Sequence, residues 1–470
     1  MVQHRFRPGS SILRMSASIR VAVVGSGPAG FYAAGALLAS AEPRCEVDVF
    51  ERLPTPWGLV RLGVAPDHPK IKSVSRAFEK IAQRPGFRFF GNVELGRDLL
   101  HDDLTQLYDA VVYSFGAQAD RRMGIPGEDL PGSWPATEFV AWYNGHPDYQ
   151  GMPFDLSGSR AVVVGNGNVA VDVARMLALT EEELAATDTA DEAIAAILGS
   201  GIEEILVLGR RGPAQAAFTT PELIELTELA GADLTVDAGE LELDPASAAA
   251  LEDDTALARR NVEVLRAVAA TAPAGRPKTV RLRFCASPLA ILGDGRVEAV
   301  EVVRNELVVD AGGWIRAVPT EEREVIPCGI MLRSVGYRGT AMAGVPFDAE
   351  RATLRHDGGG RVLGDDGTPL PGVYCTGWIK RGPSGVIGTN KKDATETVEL
   401  LLEDAAAGLL PPRTAGEDVA ELLAARGVAA VTYAGWQAID AAERARGEEQ
   451  GRPRVKLCSW DELLAAGRMA

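Results

Sequence analysis

Two glycine-rich turns constrain this chain more than any other feature: Gly25-Ser26-Gly27-Pro28-Ala29-Gly30 and Gly165-Asn166-Gly167-Asn168-Val169-Ala170. Each comes after a short apolar stretch with strand character, 20–24 and 160–164, and each opens a helical pattern. In such a turn the first glycine permits the tight bend, the second lets backbone amides approach a pyrophosphate, and the third lets helix and strand pack closely. The helix start adds free N–H donors and partial positive charge. The two units diverge at their next strand. After the first turn that strand ends at Glu51, whereas after the second it ends at Arg210-Arg211. A carboxylate accepts hydrogen bonds from a bare ribose, and a guanidinium pair suits a ribose carrying a 2′-phosphate. Two different nucleotides on one chain are therefore expected.

The length of 470 residues accommodates roughly three domains, or two larger ones. No apolar run approaches the ~20 residues a membrane span needs, so no integral membrane segment is expected. The five cysteines are scattered and form no C-x-x-C pair. A disulfide scaffold, a zinc site and a bound iron–sulfur cluster are disfavoured, no metal site is expected, and a reducing, cytoplasmic setting fits. The net charge of −17 argues against nucleic-acid binding, and it requires a local basic patch if an acidic protein is to dock. Candidates for that patch are Arg259-Arg260 with Arg266, Lys380-Arg381, and Lys391-Lys392, each equally readable as ordinary solvated charge. Residues 1–18 hold three arginines and no acid. They read as a disordered extension, with a targeting peptide or an upstream start before Met15 as alternatives.

Along the chain, a first nucleotide unit is expected over 19–119, with a helix at 71–83 and a strand at 110–117. The turn-rich segment 125–135 reads as a linker into a second unit over 120–334. There an acidic, alanine-rich insertion at 181–197, expected to be helical and solvated, delays the strand that reaches Arg210. A strand over 330–335 is expected to return the chain to the first domain. The first domain then continues over 335–470 with helices near 391–402 and 429–445.

Two loops are dense in glycine and proline yet rich in aliphatic and basic residues, as a loop lying against a flat cofactor would be. They are Trp57-Gly58-Leu59-Val60-Arg61-Leu62-Gly63-Val64-Ala65-Pro66-Asp67-His68-Pro69 and Gly377-Trp378-Ile379-Lys380-Arg381-Gly382-Pro383-Ser384-Gly385-Val386-Ile387-Gly388-Thr389. Together with Phe139-Val140-Ala141-Trp142-Tyr143-Asn144-Gly145 and the run from Gly209 to Thr219, they closely resemble the adrenodoxin-reductase-like ferredoxin–NADP reductases. The resemblance spans roughly 19 to 457.

The resemblance implies an α/β fold of two doubly wound dinucleotide-binding domains, the NADP domain inserted into the FAD domain. It implies an FAD-dependent NADPH:ferredoxin oxidoreductase acting as a monomer or weak dimer. It places FAD against Gly25, Gly27, Pro28, Ala29, Gly30, Glu51, Leu59, Leu95, Trp378, Gly385, Val386 and Ile387. NADP falls to Asn166, Gly167, Asn168, Val169, Arg210, Arg211 and Glu222. His68, Asp172 and Glu225 match polar residues near the place where flavin and nicotinamide meet. Each has a plainer reading: Asp172 as a helix-start stabiliser, Glu222 and Glu225 as solvated face residues, and His68 as a structural residue of its loop. Two other functions stay open: the flavin subunit of a larger complex, like the small subunit of glutamate synthase, and a non-catalytic nucleotide-binding redox sensor. The chain has Gly377-Trp378 where the wider superfamily commonly has Gly-Asp, and the lack of a C-x-x-C excludes a dithiol relay.

Overall fold

The computed structural model describes residues 18–253 and 256–468, so the expected extension lies outside the described residues except for Ser18. The chain forms two compact units. The first takes the residues up to Trp57, then Ser75–Gly116 and Gly339–Tyr433. The second takes Gly58–Val74, Ala117–Arg338 and the chain from Ala434 onward. Two stretches expected in the first domain, 58–74 and the tail beyond 434, thus group with the second unit.

The first unit is built on a six-stranded sheet in the order Arg361–Leu363, Pro369–Cys375, Ala110–Tyr113, Ile19–Val24, Cys45–Phe50 and Phe87–Phe90. All neighbours pair in parallel except the first two. Strands such as Val21–Val24 and Ala110–Tyr113 are apolar without alternation because they are buried on both faces. Helix Pro28–Leu37 packs along helix Ile387–Ala406 beside this sheet.

The second unit repeats the plan with a wholly parallel sheet: Ser133–Pro135, Ile330–Arg333, Arg160–Val164, Glu204–Leu208, Lys278–Arg283 and Ala232–Val236. An antiparallel meander of Ala286–Leu292, Ala299–Val309 and Ile315–Pro327 is added to it. In each sheet the chain order reverses beside the strand that carries the glycine turn. That reversal opens the crevice where an α/β sheet receives its ligand.

Four local expectations are corrected. The helix expected over 71–83 is broken into Pro69–Lys72 and Ser75–Ala82, and the division between units falls in the break. Strand Ile330–Arg333 does not return the chain to the first domain. It lies inside the second sheet, between Ser133–Pro135 and Arg160–Val164, and the stretch expected to be a linker supplies that edge strand. The insertion is helical over Glu181–Ala185 and Asp191–Leu198 but is not merely solvated, because Leu184, Ala190, Ala193 and Ile197 join the core of the second unit. The motif around Phe139–Tyr143 is core as well, its rings fully buried. No helix among the described residues is long and apolar enough to cross a membrane.

Candidate functional site

In the first unit the glycines of the turn divide their work by geometry. Gly25 has φ +101°, and a Cβ there would lie 2.7 Å from the Ser114 carbonyl oxygen on the neighbouring strand's continuation. A Cβ at Gly30 would lie 2.0 Å from the Gly25 carbonyl oxygen, whereas at Gly27 it would meet nothing within 4 Å. Two glycines therefore hold backbones together and the third faces open space. Helix Pro28–Leu37 has no acidic residue in its first turn, so its N-terminal amides remain available to an anion. At the end of strand Cys45–Phe50, Glu51 accepts hydrogen bonds from the Ser26 amide (3.1 Å), the Ser26 hydroxyl (2.6 Å) and the Leu53 amide (3.1 Å). These contacts fix the carboxylate beside the turn while leaving it lone pairs for ribose hydroxyls. Gly30→Ala is expected to yield protein largely lacking flavin, read from the visible absorbance of the purified protein. Full flavin content in that variant would refute the packing role of this glycine.

The other loop of this unit starts at Gly377, φ +76°, where a Cβ would lie 2.6 Å from the Ala29 Cβ. The start of this loop is anchored by a carboxylate from the following helix. Asp393, on helix Ile387–Ala406, accepts from the Gly377 amide (2.5 Å), the Thr376 hydroxyl (3.0 Å) and the Lys380 ammonium (2.9 Å). Lys380 is buried in this pair, which removes Lys380-Arg381 from the surface clusters available to a partner. Gly385, φ +80°, and Val386, 65% exposed, lead into the helix that starts at Ile387. Trp378 and Leu95 are half-buried in the same unit, whereas Leu59 opens the short helix Leu59–Leu62 of the second unit.

The second turn has the same logic. Gly165 has φ +131°, and a Cβ there would lie 2.2 Å from the Ser334 carbonyl oxygen, while Gly167 faces open space. Asn168 caps the Thr219 amide (2.8 Å), and the Asn166 carbonyl accepts from Ala217 and Phe218, which ties the turn to the loop after Arg211. The first turn of helix Asn168–Ala178 is again free of acid. Arg210 is exposed and Arg211 half-buried. Burial and the charges of Arg210 and Arg316 all push the Arg211 guanidinium below its usual range. Arg211, with the charges of Arg210 and Arg316 acting on it, offers a ready site for a dianion. Arg316, on strand Ile315–Pro327 and steadied by Asp310 at 2.7 Å, was not legible in the sequence.

The three polar residues expected near the chemistry, together with Glu222, do come together, all within the second unit. The His68 Nε2 lies 2.7 Å from Glu225 and 3.7 Å from Glu222. One atom each of His68, Asp172 and Glu222 fall within 4.8 Å of one another. Arg175 supplies the positive charge among these carboxylates. Its guanidinium, 3% exposed, reaches Asp67 (2.6 and 3.0 Å), Asp172 (2.8 Å), Glu222 (3.2 Å) and Glu225 (3.4 Å). Burial and then the Asp172 charge push the Glu222 carboxyl up to about 7. Burial likewise raises Asp172 despite Arg175. At Asp67 burial acts upward too, but the Arg175 hydrogen bonds and charge more than offset it and hold the carboxyl below its usual value. Neither Asp67 nor Arg175 stood out in the sequence.

Two doubly wound units, each with a dinucleotide turn at its topological reversal, define the class of oxidoreductases that join two dinucleotide cofactors. The family of pyridine nucleotide-disulphide oxidoreductases matches residues 19–207. The chain is 50% identical over 462 residues to the NADPH-ferredoxin reductase FprA of Mycobacterium tuberculosis, covering 95% of this chain and 98% of that one. It is 42% identical over 465 residues to the human mitochondrial NADPH:adrenodoxin oxidoreductase, covering 95% and 91%. The structure of M. tuberculosis FprA in complex with NADPH superposes with a TM-score of 0.90 at 49% identity, over 96% of this chain and all of that one. The chain belongs to the NADPH-ferredoxin reductase family that includes FprA and adrenodoxin reductase.

Proposed function

We propose that this protein is an FAD-dependent NADPH:ferredoxin oxidoreductase of the cytoplasm, with FAD in the first unit and NADP(H) in the second. The observation that carries this reading is the contrast between the two strand ends: a fixed carboxylate at Glu51 and a cluster of guanidiniums at Arg210 and Arg211. The fit of the groups rests on the open space at Gly27 and Gly167, the uncommitted helix N-termini and the acceptor capacity left on Glu51.

In the first unit, Gly25, Gly27, Pro28, Ala29 and Gly30 hold the FAD pyrophosphate and Glu51 its ribose. Leu95, Trp378 and Gly385 to Ile387 bear on the remainder. In the second, Asn166 to Val169 hold the NADP pyrophosphate, Arg210 and Arg211 the 2′-phosphate, and Glu222 the nicotinamide half. Bound in the first unit, FAD would supply hydride acceptance and single-electron delivery. The chain's own residues orient the rings and exclude water: His68 and Glu225 through the hydrogen bond that fixes them, Asp172 through a carboxyl that burial raises. The electron acceptor is a ferredoxin-type iron–sulfur protein, a partner supported by the names of the relatives. Arg259 with Arg260 and Lys391 with Lys392, exposed on their helices, are the candidate docking charges. Five free cysteines support a reducing compartment.

The purified protein is expected to carry flavin, to lose its visible absorbance with NADPH far faster than with NADH, and to reduce cytochrome c only when ferredoxin is added. A protein without flavin, or one whose flavin NADPH leaves oxidised, overturns the reading. Turnover with NADPH and ferricyanide excludes the non-catalytic sensor.

A further inference from the structure

The cluster around His68 contains more carboxylate than its cations balance. Four carboxyls, of Asp67, Asp172, Glu222 and Glu225, converge on one permanent cation, Arg175. They come from separate elements: the 58–74 segment, helix Asn168–Ala178 and helix Thr220–Thr227. A guanidinium spends its donors in a planar fork, and this one reaches all three elements at once. The phenols of Tyr143, buried, and Tyr337, half-buried, also feel the Asp172 charge, and both are raised, so they stay protonated and neutral at ordinary pH.

We propose that Arg175 is a positioning residue that fixes His68 from two sides and confines one exchangeable proton to the neighbouring carboxyls of Asp172 and Glu222. The two sides are visible in the contacts. Asp67, the residue before His68, is gripped by Nε and Nη2, and Glu225, which meets the His68 Nε2, lies 3.4 Å from Nη1. Asp172 and Glu222 hold carboxyl oxygens within 4.8 Å of each other, a separation at which two buried carboxylates resist simultaneous ionisation. Arg175 reaches each of them, at 2.8 and 3.2 Å, and so favours their ionised forms and lowers the pH at which the shared proton leaves. The arrangement costs several kcal/mol for each buried charge, which pairing only partly returns. It is suited to a site that must exchange a proton near neutrality without moving.

That this proton serves a bound dinucleotide rests on the reading of the second unit as the NADP site. The proton itself can be followed without dinucleotide. In the flavin-loaded enzyme, the carbonyl stretch of protonated carboxyls is recorded by infrared difference spectroscopy as pH is raised from about 6 to about 8. The expected result is the loss of one carboxyl band in the wild type and no such step in Glu222→Gln. In Arg175→Gln the step moves upward by a pH unit or more, a tenfold change in protonated fraction at fixed pH. Arg175→Lys, which keeps the charge but not the fork, retains the step while broadening the pH profile of flavin reduction. A wild type without the step overturns the proposal, as does a flavin-loaded Arg175→Gln whose step is unmoved. Should Arg175→Gln fail to hold flavin, Glu222→Gln and Arg175→Lys decide: a step that persists in the first, or a pH profile unchanged in the second, overturns it. Calorimetric NADP⁺ binding to the wild-type preparation fails only if the assignment of the unit is wrong.

Discussion

Replacing Arg210 and Arg211 together by alanine is expected to weaken NADP⁺ binding by about 10²- to 10⁴-fold and to leave NAD⁺ binding within a few-fold of the wild type. A hydrogen bond to a charged group contributes about 1.5–3 kcal/mol, so two guanidiniums on one phosphate contribute about 3–6 kcal/mol. At about 1.4 kcal/mol per tenfold, that is the stated range. The effect is confined to NADP because a bare ribose offers the guanidiniums no dianion to pair with. Burial and the charges of Arg210 and Arg316 disfavour the Arg211 charge, so an arriving 2′-phosphate relieves repulsion as well as forming bonds. Arg316 remains in the double variant and sets the floor of the loss. Fluorescence titration of the flavin-loaded enzyme with both nucleotides measures it. A preference ratio unchanged in the double variant would remove the phosphate clamp from these residues.

The features that could be read in the sequence are those whose cause is local. A glycine turn, the strand before it and the residue at the end of the next strand lie within one βαβ unit, and both turns fall at a sheet reversal as that unit requires. The rest depends on partners distant in the chain. Arg175 sits among apolar residues of a helix and gains its meaning only from Asp67, Glu222 and Glu225. Lys380 resembles surface charge until Asp393, a turn into the next long helix, closes over it. Strand Ile330–Arg333 has the apolar run of a central strand, but nothing in that run says which of two sheets it completes. The insertion at 181–197 is acidic overall, and its one buried acid, Asp188, is explained by two lysines from remote segments, Lys72 at 2.7 Å and Lys456 at 3.3 Å. Composition averages over such exceptions, and each of them determines where a segment belongs.

Glu443→Ala is expected to destabilise the protein by about 3–5 kcal/mol, the usual cost of stranding buried charge, which lowers the midpoint of thermal unfolding by roughly 5–9 °C if the second unit unfolds as one. Glu443 is fully buried on helix Tyr433–Glu449 and accepts from Arg61 (2.9 and 2.5 Å), Arg454 (2.9 Å) and the Leu457 amide (2.9 Å). Its removal leaves Arg61 and Arg454 buried without this carboxylate, although Arg454 keeps Asp440 at 2.7 Å. Arg61 lies on the 58–74 segment and Arg454 on the tail, so the same carboxylate joins both stretches that the sequence placed in the other domain. Burial pushes the Glu443 carboxyl up, but the charges and hydrogen bonds of Arg61 and then Arg454 outweigh it, and the group titrates below its usual range. A depressed carboxyl contributes stability above its unfolded value of about 4.3 and loses it as pH falls through the lower folded value. The wild type should therefore lose this contribution below about pH 4, and Glu443→Ala should show a shallower acid dependence from a lower starting point. Glu443→Gln keeps the shape and part of the hydrogen bonding, and falls between the two. Circular dichroism melts across pH measure all three. An alanine variant melting within a degree or two of the wild type would mean that apolar packing of the tail, not this ion-pair network, holds the 58–74 segment in place.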